Sequence, residues 1–87
     1  MNRSALILAT LQQLHAIHPH GMQASSLVTG IRLMGFPKET QDSMTSLLHD
    51  MEGAGLVKSA PDRLDAAVTL WARTEAGRVE LAKAGHA

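Results

Sequence analysis

The chain has 87 residues, 45% of them hydrophobic and 18% charged, and eight Lys and Arg balance eight Asp and Glu. That length predicts one small domain, 1–87, which buries about 60 to 65% of its unfolded surface and is stable by about 4 to 13 kcal/mol, too small for a large enzyme with a deep pocket. With no cysteine there is no disulfide framework, thiolate metal site or thiol chemistry, and a reducing cytoplasm is the expected compartment. The longest apolar run, Ala5 to Ala9, is far short of the roughly 20 residues of a membrane span. Followed by Gln12 and Gln13 and by no small-residue cleavage site, it does not read as a signal peptide.

From Arg3 to Ile17, the residues Leu6, Ile7, Leu8, Leu11, Leu14 and Ile17 recur at helical spacing and predict a helix with one broad buried face. His18-Pro19-His20-Gly21 ends it. A second helix starts at Ser25 or Ser26, either of which can cap it, runs through Leu27, Val28, Ile31 and Met34, and stops at Gly35. Phe36-Pro37 makes a corner, with proline in the first turn of a third helix over about 37–54 whose inward face is Met44, Leu47, Leu48 and Met51. Leu56-Val57-Lys58 reads as a strand, Ser59 to Arg63 as a turn and Ala66 to Trp71 as a second strand, together a hairpin. A last helix spans Thr74 to Ala84 with Thr74 as its cap, and Gly77 costs it about 1 kcal/mol relative to alanine.

This order, with Met51-Glu52-Gly53-Ala54-Gly55-Leu56-Val57 one hairpin length before Leu70-Trp71-Ala72-Arg73-Thr74-Glu75-Ala76-Gly77-Arg78, resembles the winged helix-turn-helix domains of bacterial regulators. The resemblance covers residues 3–84 and is closest to the small MarR and PadR type. It implies a mainly α fold with a small β-hairpin, in the order α-α-α-β-β-α. It also implies double-stranded DNA as partner, with the third helix in the major groove and the wing, about 56–73, on the neighbouring backbone or minor groove. Carried onto this chain, the reading positions are Lys38, Thr40, Gln41, Ser43 and Thr45, with Gln41 suited to adenine and Lys38 to guanine or phosphate, and Arg63 is the wing contact. Arg73 departs from the family, which usually has an aliphatic residue before the Thr of the second motif. Strand alternation puts Thr69, Trp71 and Arg73 on one face. Arg73 there either lays its stem over Trp71 with its head in water or stacks on Trp71 at a ligand or partner surface.

One block opposes DNA binding: Glu39, Asp42, Asp50 and Glu52 stand against the single Lys38 on the third helix and would repel phosphates. Glu39 and Asp42 complement the helix dipole, and Asp50 and Glu52 lie far enough along to clear the groove. The alternative function is a winged-helix protein–protein interaction module that uses this acidic helix. Either reading suits a bacterial, phage or mobile-element protein. No catalytic motif is present and no enzyme activity or cofactor is expected. His15, His18 and His20, with His49 and His86 elsewhere, are read as structural and not as metal ligands, because Pro19 breaks the helix that would align them. The surplus apolar surface of the first helix predicts a homodimer through it, unless Val79, Leu81 and Ala82 of the closing helix cover the stripe.

Overall fold

The helical periodicity of the N-terminal segment becomes burial in the computed structural model, which describes residues 3–85. Leu6, Ala9, Thr10, Leu11 and Leu14 of α1 (Arg3–Ala16) are buried, with Ile7 and Leu8 half-buried beside them. Leu27, Val28 and Ile31 of α2 (Ala24–Leu33) and Met44, Leu47, Leu48 and Met51 of α3 (Gln41–Gly53) join the same core. Val57 of β1 (Val57–Pro61), Trp71 of β2 (Thr69–Arg73) and Leu81 of α4 (Glu75–Lys83) complete it. Thr10 is fully buried, and its hydroxyl donates to the Leu6 carbonyl at 2.9 Å. The element order is the α-α-α-β-β-α order expected from the sequence.

The strands pair antiparallel with Val57 opposite Arg73, Ser59 opposite Trp71 and Pro61 opposite Thr69. On the other side of β2, Met22 and Trp71 exchange two backbone hydrogen bonds, each 2.8 Å, so the turn before α2 adds a one-residue third edge to the sheet. This bridge explains why α2 begins at Ala24 and not at a serine cap. The chain is held extended to Gln23, which caps without a side-chain bond, and Ser25 and Ser26 fall inside the first turn. The first helix likewise ends at Ala16, one residue short of Ile17. Met34 belongs to the turn after α2 and is more than a third exposed.

The third helix starts at Gln41, four residues later than expected. The Arg32 Nε–H donates to the Glu39 carbonyl at 2.8 Å, Thr40 is extended, and Thr40 and Ser43 form a reciprocal capping box. These bonds fix the chain outside the helix, so Pro37 and Lys38 lie in the preceding turn. In the hairpin, β1 runs on to Pro61 and β2 starts at Thr69, leaving Ala66 and Ala67 in the loop. Asp62 Oδ1 accepts from the Leu64 N–H and Asp65 Oδ1 from the Ala67 N–H, and the Asp62 N–H donates to Val68 O to close the loop.

Arg73 takes neither of its expected positions. It is 8% exposed, its Nε–H donates to His15 Nδ1 at 3.0 Å, and Nη1 reaches the Thr74 carbonyl at 3.4 Å. Alternation does turn Trp71 and Arg73 inward, but Trp71 meets the ring of His49, not the guanidinium. The side chain of Arg73 thereby fastens β2 to the end of α1. Beside it, His18 has its pKa lowered, first by lost hydration and then by the charge of Arg73, with His15 and Lys58 adding to the effect and Glu75 opposing it. Glu75 in turn is bonded to Arg78, which holds its carboxyl below the usual range.

The closing helix covers α1 through Leu81 and Gly77, whereas Val79 and Ala82 are exposed. Gly77 is where α4 meets the chain entering β1: a Cβ there would press on the Leu56 carbonyl oxygen and stand 3.0 Å from Leu11 Cδ2. Helix propensity alone predicts that Gly77→Ala gains about 1 kcal/mol. The packing predicts the opposite, a loss of about 1 to 3 kcal/mol in urea denaturation, because backbone cannot yield as a flexible side chain does. A second expectation concerns pH. The folded state favours neutral His18, so the unfolded chain binds the proton more readily, and stability falls as the pH drops below the ordinary value of 6.5. The melting temperature should decline between about pH 7.5 and 5.5, and less steeply in His18→Gln; equal slopes would show that His18 is not linked to folding.

Candidate nucleic-acid interface

The core-facing side of α3 fixes what its other sides present. With Met44, Leu47, Leu48 and Met51 turned inward, the helical repeat sends Asp42, Ser46, His49 and Gly53 directly outward. Gln41, Thr45 and His49, four residues apart, flank that ridge on the hairpin side and line a cleft of about 430 Å³. The opposite wall is Ser59, Thr69 and Trp71 of the hairpin with Ala67 and Val68 of its loop, and Gln23, Ala24 and Ser25 at the start of α2 close one end. No charged side chain lines this cleft; its polar groups are amides, hydroxyls and one imidazole. Trp71, 3% exposed, forms its apolar floor and meets His49 edge to face, ring centroids 5.2 Å apart at 88°.

Of the reading positions expected from sequence, Gln41 and Thr45 are in the cleft. Thr40 and Ser43 are not, because their hydroxyls and backbone N–H groups bond to each other in the capping box. Lys38 is exposed in the turn before α3, on the side away from the hairpin, beside Arg3, Leu6 and Leu47. Arg63 is exposed in the hairpin loop next to Leu64, which is 96% exposed. Sequence reasoning passed over His49, Gln23, Ser25, Ser59 and Thr69. His49 was accessible to it, since it stands eight residues after Gln41 and four after Thr45.

The acidic block is largely consumed by the fold. Glu39 is 4% exposed and accepts from the Ser43 hydroxyl. Asp50 pairs with Arg3 of α1. Glu52 accepts both the backbone N–H and the hydroxyl of Ser59, at 3.0 and 2.7 Å, so it ties α3 to the root of the hairpin. Only Asp42, in the first turn, is left exposed with no partner among the described residues. Of the four carboxylates, then, Asp50 is paired with a cation, Glu39 and Glu52 are bonded to neutral serines and keep their charge, and Asp42 stands exposed.

Among the described residues no three His, Asp or Glu side chains converge to hold a metal ion, and His86 lies outside them. Nor is any helix among them long and apolar enough to cross a membrane.

No protein-family model and no curated protein matches the chain. Solved structures do. A MarR transcription factor from Planctomyces limnophilus superposes with a TM-score of 0.75 at 24% identity, over 91% of this chain and 52% of that one. A mutant of S. aureus MepR bound to an oligodeoxyribonucleotide superposes at 0.74 and 20% identity, over 91% and 52%. A zinc-responsive MarR family member, ZitR of Lactococcus lactis, superposes at 0.71 and 23% identity, over 94% and 51%. The chain therefore spans about half the length of these proteins, and at such identities the likeness is one of fold. Helix order, hairpin and superposition together give this chain a MarR-like winged helix-turn-helix fold.

Proposed function

We propose that this chain is a transcription regulator and not an enzyme, and that it binds double-stranded DNA with α3 in the major groove and the hairpin as its wing. The observation that carries this reading is the cleft. Uncharged donors and acceptors from three elements converge there, beside a helix whose carboxylates, Asp42 excepted, are engaged within the fold. The same fold holds an oligodeoxyribonucleotide in the MepR mutant, which supports the reading. Gln41 and Thr45 take the base-reading role, and the Gln41 amide matches the donor and acceptor that adenine offers in the major groove. Lys38 and Arg63, on opposite sides of α3, take phosphates and set the register. Thr40 and Ser43 serve the site by fixing where the helix starts. The alternative, a protein-binding module using an acidic α3, has one exposed unpartnered carboxylate left to work with among the described residues of that helix.

A second copy belongs to the proposal, since two-fold regulators read paired half-sites. Its place is along α1, where Ile7 and Leu8 with Leu56 and Ala84 line a groove of about 390 Å³ against α4. Sedimentation should then give a mass that rises to twice that of the chain with concentration; a constant monomer mass removes the dimer and leaves DNA binding to be judged separately.

The charge economy sets the DNA test. Arg3, Arg78 and Lys83 pair with carboxylates, Arg73 is buried and Arg32 bonds to a carbonyl. Lys58 projects from the hairpin face opposite Ser59 and the cleft, leaving Lys38 and Arg63 at the proposed surface. The salt slope of duplex binding should accordingly be shallow, about −2 per chain, and Arg63→Ala should weaken binding to all sequences and reduce it by about one. Gln41→Ala should flatten the preference between sequences by roughly 1 to 3 kcal/mol. Asp42→Asn should strengthen nonspecific binding by removing repulsion. Absence of any salt-dependent association with duplex at low ionic strength, together with no gain from Asp42→Asn, would give the protein-binding alternative the better claim.

A further inference from the structure

The cleft has no charged side chain, but it contains one that can acquire charge. His49 is exposed and stands where two lines of α3 meet, the outward ridge of Asp42, Ser46 and Gly53 and the cleft-lining row of Gln41 and Thr45. Its ring meets that of Trp71 edge to face, centroids 5.2 Å apart. Imidazole is the one side chain whose ordinary chemistry changes its charge between pH 5 and 8, and its protonated form donates from both nitrogens.

We infer that His49 is a nucleic-acid contact whose protonated ring supplies a switchable positive charge at the reading surface. The inference rests on the DNA-binding reading above and gives that site its regulation. Acceptors that suit the ring are a phosphate oxygen or the O6 and N7 edge of guanine, both met by a helix lying in the major groove. The groups around it permit the charge. On its own helix Asp50 is paired with Arg3, Glu52 is gathered onto Ser59, and Asp42 is exposed two turns away. The start of α2 contributes only Gln23 and Ser25 to the cleft, and the hairpin contributes Ser59, Thr69 and Trp71. Lys58 lies on the other face of β1, and Asp62 and Asp65 are spent in the loop turns. No cation faces His49 across the cleft.

The chain offers an internal reporter, because Trp71 is its one tryptophan and it has no tyrosine. In the DNA-free protein, protonation of the ring that meets Trp71 should change tryptophan emission, and His49→Gln should abolish that change. In duplex binding at fixed ionic strength, affinity should rise about tenfold from pH 8 to pH 6, the size of one charged hydrogen bond. His49→Gln should show no such rise whatever its affinity at pH 8, and the permanently charged His49→Lys should bind equally at both pH values. If the partner is phosphate, the gain at pH 6 is equal on all duplexes and the salt slope steepens by about one; if it is guanine, the gain follows sequence. Equal pH dependence in the native chain and His49→Gln would overturn the inference while leaving DNA binding in place. Absence of duplex binding at every pH, even in His49→Lys, would overturn both.

Discussion

Two hydrogen bonds between Met22 and Trp71 position almost everything else that matters in this chain. They hold the hairpin against the turn between α1 and α2, place β2 between β1 and that turn, and set the residue at which α2 begins. With the indole fixed as a floor, the start of α2, the flank of α3 and the inner face of the hairpin become three walls of one cleft. Gly21, next to the bridge, shows how close the approach is: a Cβ there would lie 2.9 Å from the Leu70 Cβ and 3.3 Å from the Trp71 carbonyl. A helix and a hairpin that each bury one face thus make a site through the geometry of their junction and not through any single motif.

The second constraint is electrical. Eight acids and eight bases would leave little field for binding a polyanion if all were free. They are not distributed freely. Carboxylates on and just before α3 fasten that helix to α1 through Asp50, to the hairpin through Glu52 and to its first turn through Glu39. The Asp50–Arg3 pair, exposed on both sides, adds little stability. Only the Asp50 pair sets positive charge against negative, and it takes Arg3 out of service as a free cation, whereas Glu39 and Glu52 are positioned by serines and keep their charge.

Much of this was legible in the sequence. Apolar spacing located the first three helices and the Thr74 cap the last, the paired glycines after Met51 located the exit to the hairpin, and the resemblance supplied the fold. What periodicity could not see were long-range bonds. Nothing local says that Arg32 holds the Glu39 carbonyl, and without that bond Pro37 looks like a helix start. Nothing local says that Arg73 and His15, 58 positions apart, are partners, so an arginine in an aliphatic position invited readings that kept it near water or near Trp71. The site suffered the same way. Gln41 and Thr45 follow from helical spacing, but Gln23 and Ser59 enter only once the hairpin is docked, and Ser43 leaves once its hydroxyl is committed to Glu39.

These constraints bear together on how such a surface can recognise DNA. With two free cations at the proposed interface, nonspecific attraction is weak, because it grows with the number of phosphates neutralised. On the proposed reading discrimination falls to short-range groups able to bond to base edges, and the amides and hydroxyls of the cleft are of that kind. A surface of this kind gains most from small increments. One added charge raises the count of cations by half, whereas on a strongly basic domain it would pass unnoticed. On that reading a single imidazole in the cleft would have leverage here, and a second copy of the chain, doubling both the charges and the reading groups on one duplex, would matter more to a neutral domain than to a basic one.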